Sequence, residues 1–302
     1  MFHVKPRSID IPDLRGQTWL ITGATSGVGL ETARSASASG ARVILAVRDT
    51  ARGREVAAGL PGPARVVELD LASLASVRRA ADELTAGGGE PIDVLVNNAG
   101  TITPRRRETV DGFEMLLGVN ALGPFLLTAL LLPLVRRRVV IVASDAHKAG
   151  TLDHDDPHFR GRHRRWTAPS AYAQSKLADM LWGLALDQRR GDGGAGAGPA
   201  GVDVQLTHPG WAATGISNAS GNAVVDRVVT GVCSVLAQPA SQAALTTMFA
   251  ATRPLPPCSY TGPDAMRNLR GTPTLIGRSA EASDPSNADR FWEFARSETG
   301  SP

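Results

Sequence analysis

Short apolar runs recur along this chain, separated by stretches whose apolar positions fall at helical spacing. Thr18–Thr22 (T-W-L-I-T) ends at Gly23 and reads as a buried strand. A helix is expected from about Gly27 to Ser39, closed by Gly40. Arg42–Val47 (R-V-I-L-A-V) is a β-branched second strand; a helix over 50–59 leads to the third strand, Arg65–Glu68. Ser73 can cap a helix running to about Ala86, which Gly87, Gly88 and Gly89 break. Asp93–Asn97 and Val139–Ala143 read as the fourth and fifth strands, with a long helix from Gly112 to Val135 between them. A helix over Ser170–Arg189, a sixth strand at Val202–Thr207, a helical region over 223–252, a last strand at Ser259–Thr261 and a final helix over 286–298 complete the series. Residues 1–15 read as an arm outside the core, and 191–201 as a Gly-rich surface loop. Strand alternating with helix predicts one doubly wound α/β domain over 1–302, with a parallel sheet of about seven strands and helices on both faces.

Composition narrows the field. The 302 residues are 42% hydrophobic, enough for one large core. A net charge of +3 is too small for this length to suggest a nucleic-acid partner. Two distant cysteines, Cys233 and Cys258, offer neither metal-ligand spacing nor a disulfide framework, and point to a reducing, cytoplasmic setting. The N-terminus lacks the apolar region of a secretory signal. The most hydrophobic stretch, Val119 to Val135, is interrupted by Asn120, Gly123, Pro124 and Thr128, and reads as a buried helix rather than a bilayer span.

Two local patterns carry chemistry. The first strand runs into Thr22-Gly23-Ala24-Thr25-Ser26-Gly27-Val28-Gly29. Glycines there let the chain turn tightly and bring its backbone close to a phosphate, and the following helix N-terminus offers free N–H groups to a pyrophosphate. The second is Tyr172-Ala173-Gln174-Ser175-Lys176. Residues four apart share a helix face, and an ammonium there favours the phenolate and brings the tyrosine towards a useful acid–base range.

The spacing T-G-x-x-x-G-x-G, followed in order by Asn97-Asn98-Ala99-Gly100, Asn120, Ser144, Tyr172 with Lys176, and Pro209-Gly210 with Thr214, resembles the short-chain dehydrogenase/reductase family, a single Rossmann domain. The likeness covers roughly 16–300. It implies a hydride moved between nicotinamide and a carbonyl or alcohol of a small molecule. Tyr172 would be the general acid/base and Lys176 its partner and a ligand of the nicotinamide ribose. Ser144 would hold the substrate oxygen, and Asn120 would support a proton-relay water chain. Gly23, Thr25, Ser26, Gly27, Val28, Gly29, Asp70, Leu71, Asn98, Ala99, Gly100, Pro209, Gly210 and Thr214 would line the cofactor cleft, Asp70 near the adenine and Thr214 near the carboxamide or pyrophosphate. Residues 211–228 would form a substrate loop that is mobile without ligand. A C=C reductase using the same Tyr–Lys machinery, or a non-catalytic dinucleotide sensor, are the alternatives, and a homo-oligomer is left open.

Three details refine the expectation. At the end of the second strand, where an NAD-binding protein of this fold places an acid, stand Val47 and Arg48, so NADP(H) is expected over NAD(H), with Asp49 as a complication. The 28-residue gap between Ser144 and Tyr172 holds a His/Asp/Arg-rich stretch, 145–168, which reads as a solvated loop near the site entrance rather than a metal site. With Ile44–Arg48 and Ser175–Ala178, that gap resembles the retinol dehydrogenase and protochlorophyllide reductase branch. Pro124, four residues after Asn120, cannot donate to the Asn120 carbonyl and is expected to kink the long helix there.

Overall fold

The computed structural model describes residues 9–161, 163–189, 201–211 and 238–302. Eight strands form one sheet: β1 Thr18–Thr22, β2 Arg42–Val47, β3 Ala64–Glu68, β4 Ile92–Asn97, β5 Val135–Val142, β6 Asp203–Thr207, β7 Tyr260–Ala265 and β8 Arg270–Leu275. Their order is β3-β2-β1-β4-β5-β6-β7-β8, parallel except for the last, antiparallel pair. The order reverses between β1 and β4, and a crevice opens there at the carboxyl ends of the strands.

Helices cover both faces. On one side lie α3 (Leu74–Thr85), the composite helix α4 (Met115–Leu117, a π-turn Gly118–Leu122, then Gly123–Leu131), α5 (Ala168–Gln188) and α7 (Pro285–Thr299). Phe125 is the hub of this face: its ring meets Trp182 edge-on at 6.4 Å and Trp292 at 4.9 Å. α1 (Gly27–Ala38), α2 (Thr50–Ala58) and α6 (Ala240–Thr252) lie on the other side, over Trp19, Ile21, Val43 and Leu45. Burying a side chain of this size contributes about 1.5–3 kcal/mol each, and both faces of the sheet are sealed in this way.

Several expectations are corrected. The arm is not wholly outside the core: Leu14 is fully buried, and its N–H donates to the Ser39 carbonyl. The long helix starts at Met115 and gives way at a 3-10 turn, Leu132–Leu134, around Pro133. Val135 already pairs with Ile92, so the three arginines after it belong to β5, which starts four residues earlier than its apolar run suggests. Pro124 sits at the start of the Gly123–Leu131 segment, directly after a π-turn in which the Gly123 N–H donates to the Gly118 carbonyl. The sheet has one strand more than expected, because R-G-T-P-T-L shows no strand periodicity. The β7–β8 turn also lacks the usual glycine: Met266, Arg267 and Asn268 take φ of 50, 55 and 65°. Helix 223–252 is described only as α6, and residues 212–228 and Thr214 lie outside the described residues, as does most of 191–201.

The stretch Met115–Leu134 has the length and composition to cross a membrane, but 78% of it is buried inside the fold, where it forms the hub just described.

Candidate active site

The crevice is built around Thr22. Its hydroxyl accepts the N–H groups of Asn98 (3.0 Å) and Ala99 (2.9 Å), and its carbonyl accepts from Asn98 Nδ2 at 2.9 Å. These bonds lace the end of β1 to the end of β4. The glycines are dictated by the closeness that results. Gly23 has φ +67°, and a Cβ on it would stand 2.9 Å from the Ala99 Cα; one on Gly29 would stand 2.3 Å from Asn98 Nδ2.

The N-terminus of α1 differs from those of its neighbours. Asp49 caps α2 by accepting from the Arg52 N–H, and Ser73 caps α3 by accepting from the Ser76 N–H. Ser26, the N-cap of α1, is exposed and its side chain caps nothing. The first-turn N–H groups of Gly27, Val28 and Gly29 are therefore left without a side-chain acceptor, at the positive end of a helix dipole. A cradle that any Cβ would fill, facing an uncapped helix, fits a dinucleotide pyrophosphate. Arg48 is exposed at the end of β2, next to this crevice. Asp49, beside it, caps α2 by accepting from the Arg52 N–H at 2.9 Å and keeps its charge there. Asp70, half-buried after β3, accepts from the Ala72 N–H, and Leu71 beside it is buried. Asn97, not singled out from sequence, is buried with its amide on Thr128 at 2.9 Å. A Cβ on Gly100 would lie 3.5 Å from Asn120 Oδ1 and 3.8 Å from Lys176 Nζ.

Ser144 lies at the end of β5, and Tyr172 and Lys176 lie on α5. Ser144 Oγ accepts from the Ala146 N–H, starting a 3-10 turn, Asp145–Ala149. A Thr167–Ser170 capping box starts α5, so Tyr172 enters on its second turn, half-buried, and Lys176 one turn deeper. The Lys176 Nζ lies 5.9 Å from the Tyr172 ring centre. It donates to the Val142 carbonyl (2.9 Å) and to Asp179 Oδ2 (2.8 Å). Burial alone would push this ammonium down; Asp179, then Tyr172, more than offset that, and its pKa stands above the usual lysine value. Asn120, buried on the π-turn, accepts the Thr101 N–H at 2.7 Å and donates to the Thr101 carbonyl and to Ser175 Oγ. It ties the loop after β4 to α5.

Other polar groups escaped the sequence reading. Asp145, directly after Ser144, accepts from Tyr260 Oη (3.2 Å), Asn268 Nδ2 (3.1 Å) and Lys148 Nζ (3.0 Å). Burial raises its pKa, but the Lys148 and Asn268 bonds outweigh this and hold it below the usual carboxylate value. His147 accepts the Ser279 N–H at Nε2, so its Nδ1–H donates to the Ser144 carbonyl at 2.7 Å. Burial lowers its pKa and keeps it neutral. His208, buried just before Pro209, is pushed down to about 4 by burial. The Pro209 carbonyl accepts from Gln238 Nε2, and Gly210 follows at φ +74°. Helix spacing could have flagged Asp179, paired with Lys176 at i,i+3, and Asp145, paired with Lys148 at i,i+3.

The 145–168 segment is not a solvated loop. Glu114, fully buried, accepts from the Leu116 and Leu117 N–H groups and from Trp166 Nε1. His158, also buried, accepts the Glu114 N–H at Nδ1 and stacks on Phe113 at 5.6 Å. The segment is bolted to the start of α4. Among the described residues, no group of three or more His, Cys, Asp or Glu converges as a metal site.

A family model for short chain dehydrogenases matches residues 17–152. The chain is 37% identical to human retinol dehydrogenase 13 over 225 residues, 72% of this chain and 64% of that protein. The chain belongs to the short-chain dehydrogenase/reductase family. Its likeness to retinol dehydrogenase 13 agrees with the branch that its motifs resemble. An uncharacterized protein from Mycobacterium paratuberculosis has a solved structure similar to this dehydrogenase/reductase at a TM-score of 0.79, with 37% identity, over 97% of this chain and 96% of that one. A short-chain dehydrogenase from Burkholderia cenocepacia, solved in complex with NADP, matches at 0.60 with 25% identity, over 80% of this chain and 92% of that one. A nicotinamide dinucleotide is the cofactor class this family site takes. The chain spans less than two thirds of the length of retinol dehydrogenase 13.

Proposed function

We propose that the protein is an NADP(H)-dependent oxidoreductase that interconverts a carbonyl and an alcohol, with Tyr172 as general acid/base. The observation that carries this reading is Lys176, 5.9 Å from the Tyr172 ring centre and bonded to the Val142 carbonyl two residues before Ser144, with Asn120 tied to the same helix through Ser175, beside a crevice with an uncapped helix N-terminus. Gly23, Thr25, Ser26, Gly27, Val28, Gly29, Asn98 and Ala99 would hold the dinucleotide backbone, with Asp70 and Leu71 towards the adenine. Arg48 would take the 2′-phosphate through its guanidinium, with the charge of Asp49, the α2 cap, opposing it. When bound, the nicotinamide gives or takes the hydride, chemistry no side chain can perform. Ser144 orients the substrate oxygen. Tyr172 donates its phenolic proton to that oxygen in reduction and takes it back in oxidation. The buried Lys176 ammonium stabilises the phenolate left behind. Asn120 holds the Thr101 loop and α5 in register, and Pro124 denies its carbonyl the donor an α-helix would supply, which suits a water-linked proton supply. The test is a panel of aldehydes, ketones, activated alkenes and alcohols assayed with NADP(H) and NAD(H), with Tyr172→Phe as the blank. Absence of Tyr172-dependent turnover across the panel would refute the reading, and turnover of the alkenes alone would assign C=C reduction instead.

A further inference from the structure

Of the charged groups around Tyr172, Asp179 has no place in the reaction just described. It is buried to 1% exposure, three residues after Lys176, with Oδ2 at 2.8 Å from Nζ and Oδ1 accepting from Trp182 Nε1 at 3.3 Å. A carboxylate is rarely enclosed without a partner, and here the partner is the lysine the chemistry needs. Lys176 is itself buried, and an isolated lysine in such a place tends to lose its proton.

We propose that Asp179 is a positioning residue that keeps Lys176 charged and holds it by one of its three N–H groups, with a second on Val142 and the third left for the reaction. The inference rests on the function proposed above, because a charged Lys176 matters only if Tyr172 must yield its proton.

The surroundings leave the pair electrostatically alone. The 3-10 turn after Ser144 brings Asp145, His147 and Lys148, but Asp145 is matched by Lys148, Asn268 and Tyr260. His208 follows β6, and Asp203 at the other end of that strand is paired with Arg138. At the start of α4, Glu114 is taken up by backbone N–H groups and Trp166. Glu281 stands on the 3-10 turn before α7. On α7, Asp289 and Glu293 meet Arg189, Arg296 meets Glu293, and Glu298 meets His158; Asp284 caps the helix and Arg290 faces His154. β5 offers only the Val142 carbonyl. Among the described residues, Asp179 and then Tyr172 are the charges that raise the ammonium's pKa. Burial pushes Asp179 up to about 6 against the pull of Lys176.

The chain has only three lysines, at 5, 148 and 176, so ¹⁵N-lysine NMR of the whole protein gives three ammonium signals, assignable with Lys5→Arg and Lys148→Arg. In Asp179→Asn, which keeps the size and an acceptor for Trp182, the Lys176 midpoint should fall by about 4 units or more, to near neutral pH, as for an isolated buried lysine. The acid limb of the kcat/KM profile for alcohol oxidation should move up by about 1 unit, because a neutral lysine no longer favours the phenolate. Asp179→Glu should restore part of both. A folded Asp179→Asn with an unmoved Lys176 midpoint, or with an unmoved acid limb, overturns the proposal. If the variant does not fold, the wild-type Lys176 signal decides: it should step near pH 6 as Asp179 takes up its proton, and a flat trace there overturns the proposal. Absence of turnover in the wild type would instead refute the function, while the NMR titration would still report on the pair.

Discussion

His208 should make the unliganded fold acid-sensitive, and the effect can be sized. The ring is buried to 5% exposure, beside Asp145, Lys148 and the backbone at Asn268. Burial lowers its pKa from 6.5 to about 4, more than the Asp145 charge can restore. A folded value below the unfolded one means the native state resists protonation. The stability at stake is therefore fully present above pH 6.5 and is lost as the pH falls through about 4. The difference of about 2.5 units corresponds to about 3 kcal/mol, a sizeable part of a typical folding free energy. For a chain of this size that amounts to about 5–10 °C of melting temperature. His147 and His158 are also pushed down by burial, so the wild-type curve is a composite. The difference from His208→Gln isolates this ring. Melting temperatures of both proteins, without cofactor, from pH 8 to pH 4 should converge as the pH falls, the wild type losing more. Parallel curves would refute the reasoning.

Tyr172→Phe keeps the packed ring and should lower turnover by about 100- to 10,000-fold while cofactor affinity, measured by fluorescence titration, stays within a few-fold. Lys176→Ala should harm both, since that ammonium serves Tyr172 and the ribose. Arg48→Ala should weaken NADP(H) by about tenfold and leave NAD(H) unchanged, as expected for one lost charge-assisted contact; equal NADP(H) affinities in the two proteins would remove the argument. Gly29→Ala sets a Cβ 2.3 Å from Asn98 Nδ2 and should cost about 1–3 kcal/mol in urea unfolding, with a larger loss of cofactor affinity as the cradle opens.

The strands were legible where their burial on both faces left continuous apolar runs, as in β1, β2 and β4. β5 was read short because its first turn, Val135–Arg138, is polar and is held by pairing with β4 rather than by its own pattern. β8 was missed for the same reason, and its turn uses three non-glycine residues at positive φ, which no turn rule anticipates. Of the site, the glycines and the Tyr172–Lys176 pair could be named because the chemistry restricts residue type at short spacing, while Asn98, Asn120 and Ser144 could be named only through the family resemblance. His147 and Glu114 could not, because each depends on a partner more than 40 residues away, such as Ser279 or Trp166. The histidines and aspartates of 145–168 were read as solvated because their composition is polar. Asp156 and His158 are buried nonetheless, with their hydrogen bonds satisfied by backbone and by Glu298.

The Glu114 anchor has a consequence for protein engineering. One carboxylate ties Trp166 to the first turn of the helix that carries Asn120 six residues on. Gln174, between Tyr172 and Lys176 on α5, is hydrogen-bonded to Pro157 and Arg164 of the same segment. The segment is therefore not a detachable module. Grafting a relative's loop between Ser144 and Tyr172 to change substrate range would pull on both catalytic helices at once. Such chimaeras should recover activity only when Glu114 and Gln174 are exchanged together with the loop they hold.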